Sequence, residues 1–225
     1  MERFRDRREA GGSLAGRVLH LRDAGPVVLA LPRGGVPVGF AVARALSAPL
    51  DVIVVRKLGV PFQPELGMGA IGEGGVRVLD HESVRLARVT PDEIEAAEAR
   101  ERVELERRLR VYRDARPMVS LAGRTAIVVD DGIATGGTAR AALQIARLHG
   151  ARRVVLAVPV APPEVFHELA GVADEVVVVR TPSPFVAIGK WYEDFSQTTD
   201  DEVRDLLAAA VALRSQEPGD DGRRS

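Results

Sequence analysis

Cysteine is absent from the 225 residues. Disulfides, a thiol nucleophile and any cysteine-ligated metal centre are thereby excluded, and the absence agrees with a cytoplasmic location. Lysine is nearly absent: Lys57 and Lys190 are the two lysines among 31 basic residues. In a chain that draws its positive charge from arginine, each lysine asks for a local reason. Aromatic residues make up 4%, so a ring-stacking surface can be built in few places. Neither sign of charge dominates. A net charge of −1 leaves no global basic field to draw nucleic acid or anionic lipid, and no helix pair with a basic face stands out. No apolar run approaches the ~20 residues needed to span a bilayer. The opening MERFRDRREAGG is charged and lacks the apolar stretch of a secretory signal. The expectation is a soluble cytoplasmic protein with neither nucleic-acid nor membrane partner.

What is present reads as an ordinary globular domain, 46% hydrophobic and 28% charged. A first amphipathic helix is predicted over residues 6–22 from the spacing of Leu14, Val18 and Leu21. Short apolar runs follow at Val27–Leu31, Asp51–Val55, Thr125–Val129, Arg153–Val158 and Glu175–Val179. Continuous rather than alternating apolar residues point to strands buried on both faces of a parallel sheet. Helical patterns lie between them at Val38–Leu46, Thr138–His149 and Pro163–Ala170. The alternation predicts an α/β fold with a central parallel sheet flanked by helices.

Two segments interrupt the alternation. Residues 59–75, rich in Gly and Pro, read as a long mobile loop of the kind that closes over a site. Residues 91–114 read as a long, mostly solvated helix. Thr90, Pro91 and Glu93 form a capping box with Pro in the first turn. Glu98/Arg102, Glu104/Arg108 and Glu106/Arg110 are i,i+4 pairs in the favourable order. The tail, residues 215–225, has the composition of a disordered segment.

The chemistry concentrates in residues 125–138. An apolar strand ends in Asp130 and Asp131, then enters Gly132-Ile133-Ala134-Thr135-Gly136-Gly137-Thr138 and a helix. A small-residue turn into a helix N-terminus offers backbone N–H groups and the positive end of the helix dipole to a phosphate, with Thr135 and Thr138 adding hydroxyls. Two carboxylates beside that nest would repel the phosphate, so they suit a polyol or a metal such as Mg²⁺. A phosphate and a diol one sugar apart describe a ribose 5-phosphate. No dinucleotide G-x-G-x-x-G fingerprint follows the first strand, and no Gly-Lys-Ser/Thr of a Walker A loop occurs.

The segment over residues 126–138 resembles the 5-phosphoribosyl-1-pyrophosphate motif of type I phosphoribosyltransferases, with Gly132 standing where that family usually has an aliphatic residue or Ser. Pro32-Arg33-Gly34-Gly35, after the first strand, is similar to the family's pyrophosphate loop. Val55-Arg56-Lys57-Leu58-Gly59 is similar to the segment before its flexible catalytic loop. The resemblance covers roughly residues 25–195, with the helix at 91–114 as an insertion. It implies a single domain over residues 1–214 with a small C-terminal hood at about 180–198.

Within that hood, Pro184 to Phe195 resembles the segment of purine-type members in which an aromatic ring stacks on the base, but Ser183-Pro184 replaces the Lys that reads a 6-oxo group there. Phe185, Trp191, Tyr192 and Phe195 serve equally as core packing or as a stacking surface. By resemblance, Asp130, Asp131, Lys57 and Arg56 are the catalytic candidates. Arg33, Gly34, Gly35, residues 132–138, Phe185 and Val186 are the substrate-binding candidates. The same resemblance implies Mg²⁺ at Asp130 and Asp131, bound directly or through water. The implied reaction is transfer of a 5-phosphoribosyl group from 5-phosphoribosyl-1-pyrophosphate to a nitrogenous base or base-like acceptor, in a homodimer. A regulatory protein that binds the donor or a nucleotide without turnover, and a hydrolase of the donor, stand as alternatives.

Overall fold

The computed structural model describes residues 2–114 and 116–216. The chain opens with α1 (Arg7–Val18), capped by the Asp6 side chain accepting from Glu9 N, and continues as a 3₁₀ turn over Leu19–Ala24. The predicted helix over 6–22 therefore divides in two. Next come β1 (Pro26–Ala30), α2 (Gly35–Leu46), β2 (Leu50–Val52), β3 (Val55–Val60), β4 (Gln63–Gly72) and β5 (Arg77–Leu79). A short α3 (His81–Leu86) precedes the long α4 (Pro91–Arg113). The second half runs β6 (Thr125–Val129), α5 (Gly137–Leu148), β7 (Arg153–Val160), α6 (Val165–Glu168), β8 (Glu175–Arg180), a 3₁₀ turn over Ile188–Trp191, and α7 (Asp200–Gln216).

Five strands form the central parallel sheet in the order β2-β1-β6-β7-β8. Successive side chains on a strand point to opposite faces, and here both faces are covered. Val28, Ala30, Ile127 and Val129 pack into one core with α1, α2 and α7; Val27, Leu29, Ala126 and Val128 pack into the other with α5. That double burial is why the strands read as unbroken apolar runs. The predicted strand over 51–55 is split, because the chain leaves the sheet after Val52 and starts a new one at Val55. The predicted helix over 163–170 shrinks to the single turn α6.

The expected loop over 59–75 is instead most of a three-stranded antiparallel flap, β3-β4-β5. Two of its glycines, Gly59 and Gly69, serve close approach between the strands. A Cβ on Gly59 would stand 2.4 Å from Pro64 O, and one on Gly69 2.3 Å from Val78 O. Leu58, Val60, Met68 and Ile71 bury the flap's inner face in the first core.

The helix expected over 91–114 forms as α4, and its capping box closes: Thr90 N donates to Glu93 and Glu93 N to Thr90 Oγ1. The Glu98–Arg102 and Glu104–Arg108 pairs form; among the described residues the Glu106–Arg110 pair does not. Its inner stripe, Ile94, Ala97, Leu105 and Tyr112, is buried. The C-terminal end of α4 is pinned by Arg113, which donates to Asp51 Oδ1 at 2.7 Å and also reaches Glu73 and Val52 O.

The hood expected over 180–198 is built partly from the N-terminus. Phe4 N donates to Trp191 O and Glu193 N to Phe4 O, and the Phe4 ring packs 5.6 Å from that of Tyr192. The tail expected over 215–225 begins inside α7 for Ser215 and Gln216; the remainder lies outside the described residues. No described helix is long and apolar enough to cross a membrane.

Candidate active site

The loops at the C-terminal ends of β1, β2 and β6 meet at one edge of the sheet. After β6, Asp131 N donates to Asp130 Oδ1 at 2.8 Å, which tightens the turn. Gly136 adopts φ +69°, open to glycine at little cost, and Arg140 N closes the first helical bond to Gly136 O. The opening N–H groups of α5 have no intrahelical acceptor, the arrangement that binds anions. Thr138 faces a cavity there, whereas Ala134 and Thr135 lie exposed at the rim. Ile133 is buried, its N–H donating to Val160 O at 3.0 Å.

Gly132 has a packing reason. A Cβ there would stand 2.7 Å from Ile188 and 2.9 Å from Val160, so the hood occupies the space of the expected aliphatic side chain. Gly34 and Gly35 are likewise set by contact. A Cβ on Gly35 would fall 2.7 Å from Val129 O, and one on Gly34 only 2.0 Å from Asp131 Oδ2. The turn after β1 thus lies directly on the acid pair, and the Pro32–Arg33 peptide within it is cis.

The cavity at this edge holds about 430 Å³ and is walled by Pro32, Arg56, Lys57, Asp130 and Thr138, together with Glu101 and Arg108 of α4. Five residues singled out in the sequence, from three separate segments, are brought together in it. Arg33 lies outside the lining and turns toward α7, 3.8 Å from Asp200. Arg56 is held by Glu101 at 2.6 Å, and Lys57 makes no ion pair among the described residues. A second cavity of about 660 Å³ shares Lys57 and runs between the flap and α5.

The two acids part company. Asp130 faces the cavity, and burial, followed by the charge of Asp131, pushes its carboxyl well above the ordinary range. Asp131 turns under Gly34 onto Arg7, whose Nε donates to its Oδ2 at 2.7 Å. Burial raises this carboxyl too, against the lowering effect of Arg7. Arg7 also donates to Ser196 O at 2.7 Å and stacks over Phe195 at 4.1 Å. Tyr192 donates to Asp131 O at 2.6 Å. Tyr192 is therefore core, linking hood to turn. Phe185 is half-buried against the same cluster, and Val186 is 75% exposed; neither lines the 430 Å³ cavity.

Residues 8–177 match the model of the phosphoribosyl transferase domain. The chain belongs to that family. Two Mycobacterium tuberculosis relatives, each carrying the name "Putative phosphoribosyl transferase", are 55% identical over 210 residues, 93% of this chain. The chain spans about half their length, 47%. The crystal structure of TT1426 from Thermus thermophilus is similar to this phosphoribosyl transferase domain at 46% identity and a TM-score of 0.84, over 92% of this chain and 98% of that one. Arg7 and Glu101 are absent from the sequence expectations, and Arg108 enters them only as the helix partner of Glu104. Arg7 sits in a charged run with no pattern around it. Glu101 and Arg108 were legible in principle, since residues seven apart share a helix face and theirs is the face of buried Leu105 and Tyr112.

Proposed function

We propose that the protein transfers a 5-phosphoribosyl group from 5-phosphoribosyl-1-pyrophosphate to a nitrogen of a base or base-like acceptor, in the cytoplasm and as a homodimer. The observation that supports this is the 430 Å³ cavity, which combines a helix N-terminus, the inward Asp130 and the cations Arg56 and Lys57, with Glu101 paired to Arg56. A ligand that satisfies all three carries a terminal phosphate, a diol and a second cluster of negative charge.

In this reading the 5-phosphate lies on the turn from Thr135 to Thr138, and Asp130 accepts from the ribose hydroxyls. Asp131, held by Arg7 and Tyr192, positions the turn. The pyrophosphate lies over Gly34 and Gly35 beside Lys57 and Arg56, with Arg33 flanking. The bond from the anomeric carbon to the pyrophosphate oxygen breaks, and its electron pair leaves with pyrophosphate. The acceptor nitrogen closes the new C–N bond from the opposite face and releases its proton to water. Fixed cations aimed at the departing charge lower the barrier most, because they need no reorganisation during the step. Phe185 and Val186, on the hood, form the acceptor side.

Mg²⁺ fits as a companion of the donor rather than as a resident ion. Among the described residues no group of three or more His, Asp or Glu could hold a metal. Mg²⁺ keeps several waters and takes one or two carboxylates with substrate phosphates; Asp130 would supply one, with Asp131 behind it. When bound, it neutralises charge on the pyrophosphate.

Pyrophosphate release from the donor with Mg²⁺, across a panel of purines, pyrimidines and related rings with a no-base control, tests the proposal. Release that depends on one ring supports transfer. Release without any ring identifies a hydrolase, and donor binding without release identifies a regulatory protein.

A further inference from the structure

The inserted helix α4 contributes two side chains to the donor cavity, and one of them has unused binding capacity. Arg108 donates from Nε to Glu104 Oε1 at 2.7 Å, and its side chain is 30% exposed. Among the described residues its two terminal nitrogens make no hydrogen bond. Glu104 is shared, because Arg107 also donates to it, at 2.7 and 3.0 Å. One carboxylate thus stands against two guanidiniums, and together they hold its carboxyl down at about 2. The group as a whole keeps one positive charge in excess. Glu101 does the opposite for Arg56, engaging both its Nε and an Nη, at 2.8 and 2.6 Å. Of the cavity's arginines, the one on α4 is the less neutralised.

We propose that Arg108 is a catalytic residue that binds the leaving pyrophosphate through its terminal nitrogens, so that α4 forms a wall of the donor site. The inference rests on the donor reading above. A guanidinium held at Nε presents two coplanar N–H groups at a spacing that matches two oxygens of a phosphate. The ligand class is a diphosphate. The 5-phosphate, on the turn at residues 135–138, lies outside the role.

Calorimetric titration of the full chain with magnesium pyrophosphate, and separately with ribose 5-phosphate, tests this without any acceptor. Arg108→Ala is expected to weaken pyrophosphate at least about tenfold, the scale of one charge-assisted hydrogen bond, and to leave ribose 5-phosphate unchanged. Arg108→Lys recovers part of the loss. Arg107→Ala, which shares Glu104 but does not line the cavity, binds both ligands as the wild type does. An Arg108→Ala variant that binds pyrophosphate normally overturns the inference and leaves the donor reading standing. Equal losses for both ligands, or an equal loss in Arg107→Ala, also overturn it, because the effect would then be structural. Wild-type protein that binds neither ligand overturns the donor reading, and the inference with it.

Discussion

Arg7, the first residue of α1, donates to Asp131 across 2.7 Å and joins the N-terminal helix to the second acid of the turn after β6. Both side chains are nearly enclosed, 12% and 11% exposed. Removing one member of such a pair leaves the other charge buried and unmatched, which costs about 3 kcal/mol or more. Arg7→Ala should therefore destabilise by about 3 kcal/mol in chemical denaturation, and Asp131→Asn in the same chain should restore part of that loss. Additive losses in the double variant would contradict the pairing.

The single variant Asp131→Asn should lower turnover at least about tenfold, the factor that 1.4 kcal/mol commands, while the protein stays folded by circular dichroism. A positioning role predicts that the loss appears mainly in kcat. Unchanged turnover would remove Asp131 from the site.

Asp130 is expected to be a source of instability. Its carboxyl is raised well above 3.8 by burial and by the neighbouring Asp131 charge. Between the unfolded and the raised folded pKa, the folded protein binds more protons than the unfolded chain, so stability falls as pH rises through that window. Asp130→Asn removes the penalty. With a chelator present at pH 7, this variant should melt above the wild type. The gap should close as pH falls toward 3.8. A gap constant with pH would contradict the account.

Arg113 holds α4 against the sheet through an ion pair whose side chains are 5% and 8% exposed. Arg113→Ala should cost about 3–5 kcal/mol, the range for an orphaned buried charge, read from the denaturation midpoint. Arg113→Lys should recover little, since an ammonium cannot reach Asp51, Glu73 and Val52 O together as the guanidinium does. A neutral effect would mean that α4 is held by its apolar stripe alone.

The parallel sheet and the small-residue turn from β6 into α5 were legible because each leaves a local mark. Strands covered on both faces read as runs such as Thr125–Val129, and the turn needs Gly132 for close packing and Gly136 for its positive φ. The flap is not legible in sequence, because Gly59 and Gly69 look the same whether they loosen a loop or let strands close to within 2.4 Å of a Cβ position. The hood was half legible. Tyr192 and Phe185 lie in the segment that resembled it, but Phe4, nearly 190 residues away in sequence, completes it by a pairing that no local pattern announces. The partners of the expected site residues were the least visible. Arg7 on Asp131, Glu101 on Arg56 and Asp200 near Arg33 are long-range ion pairs, and in a chain with 31 basic and 32 acidic residues sequence offers no means of choosing among candidates.

The central claim is that the cavity at Asp130 and Thr138 receives 5-phosphoribosyl-1-pyrophosphate. Calorimetric titration of that donor, with Mg²⁺, into the wild-type chain and into Asp130→Asn tests it most directly. The account predicts saturable one-site binding to the wild type, weakened at least about tenfold in the variant by loss of a charge-assisted hydrogen bond to the ribose. Equal binding by both proteins, or none by the wild type, would contradict it.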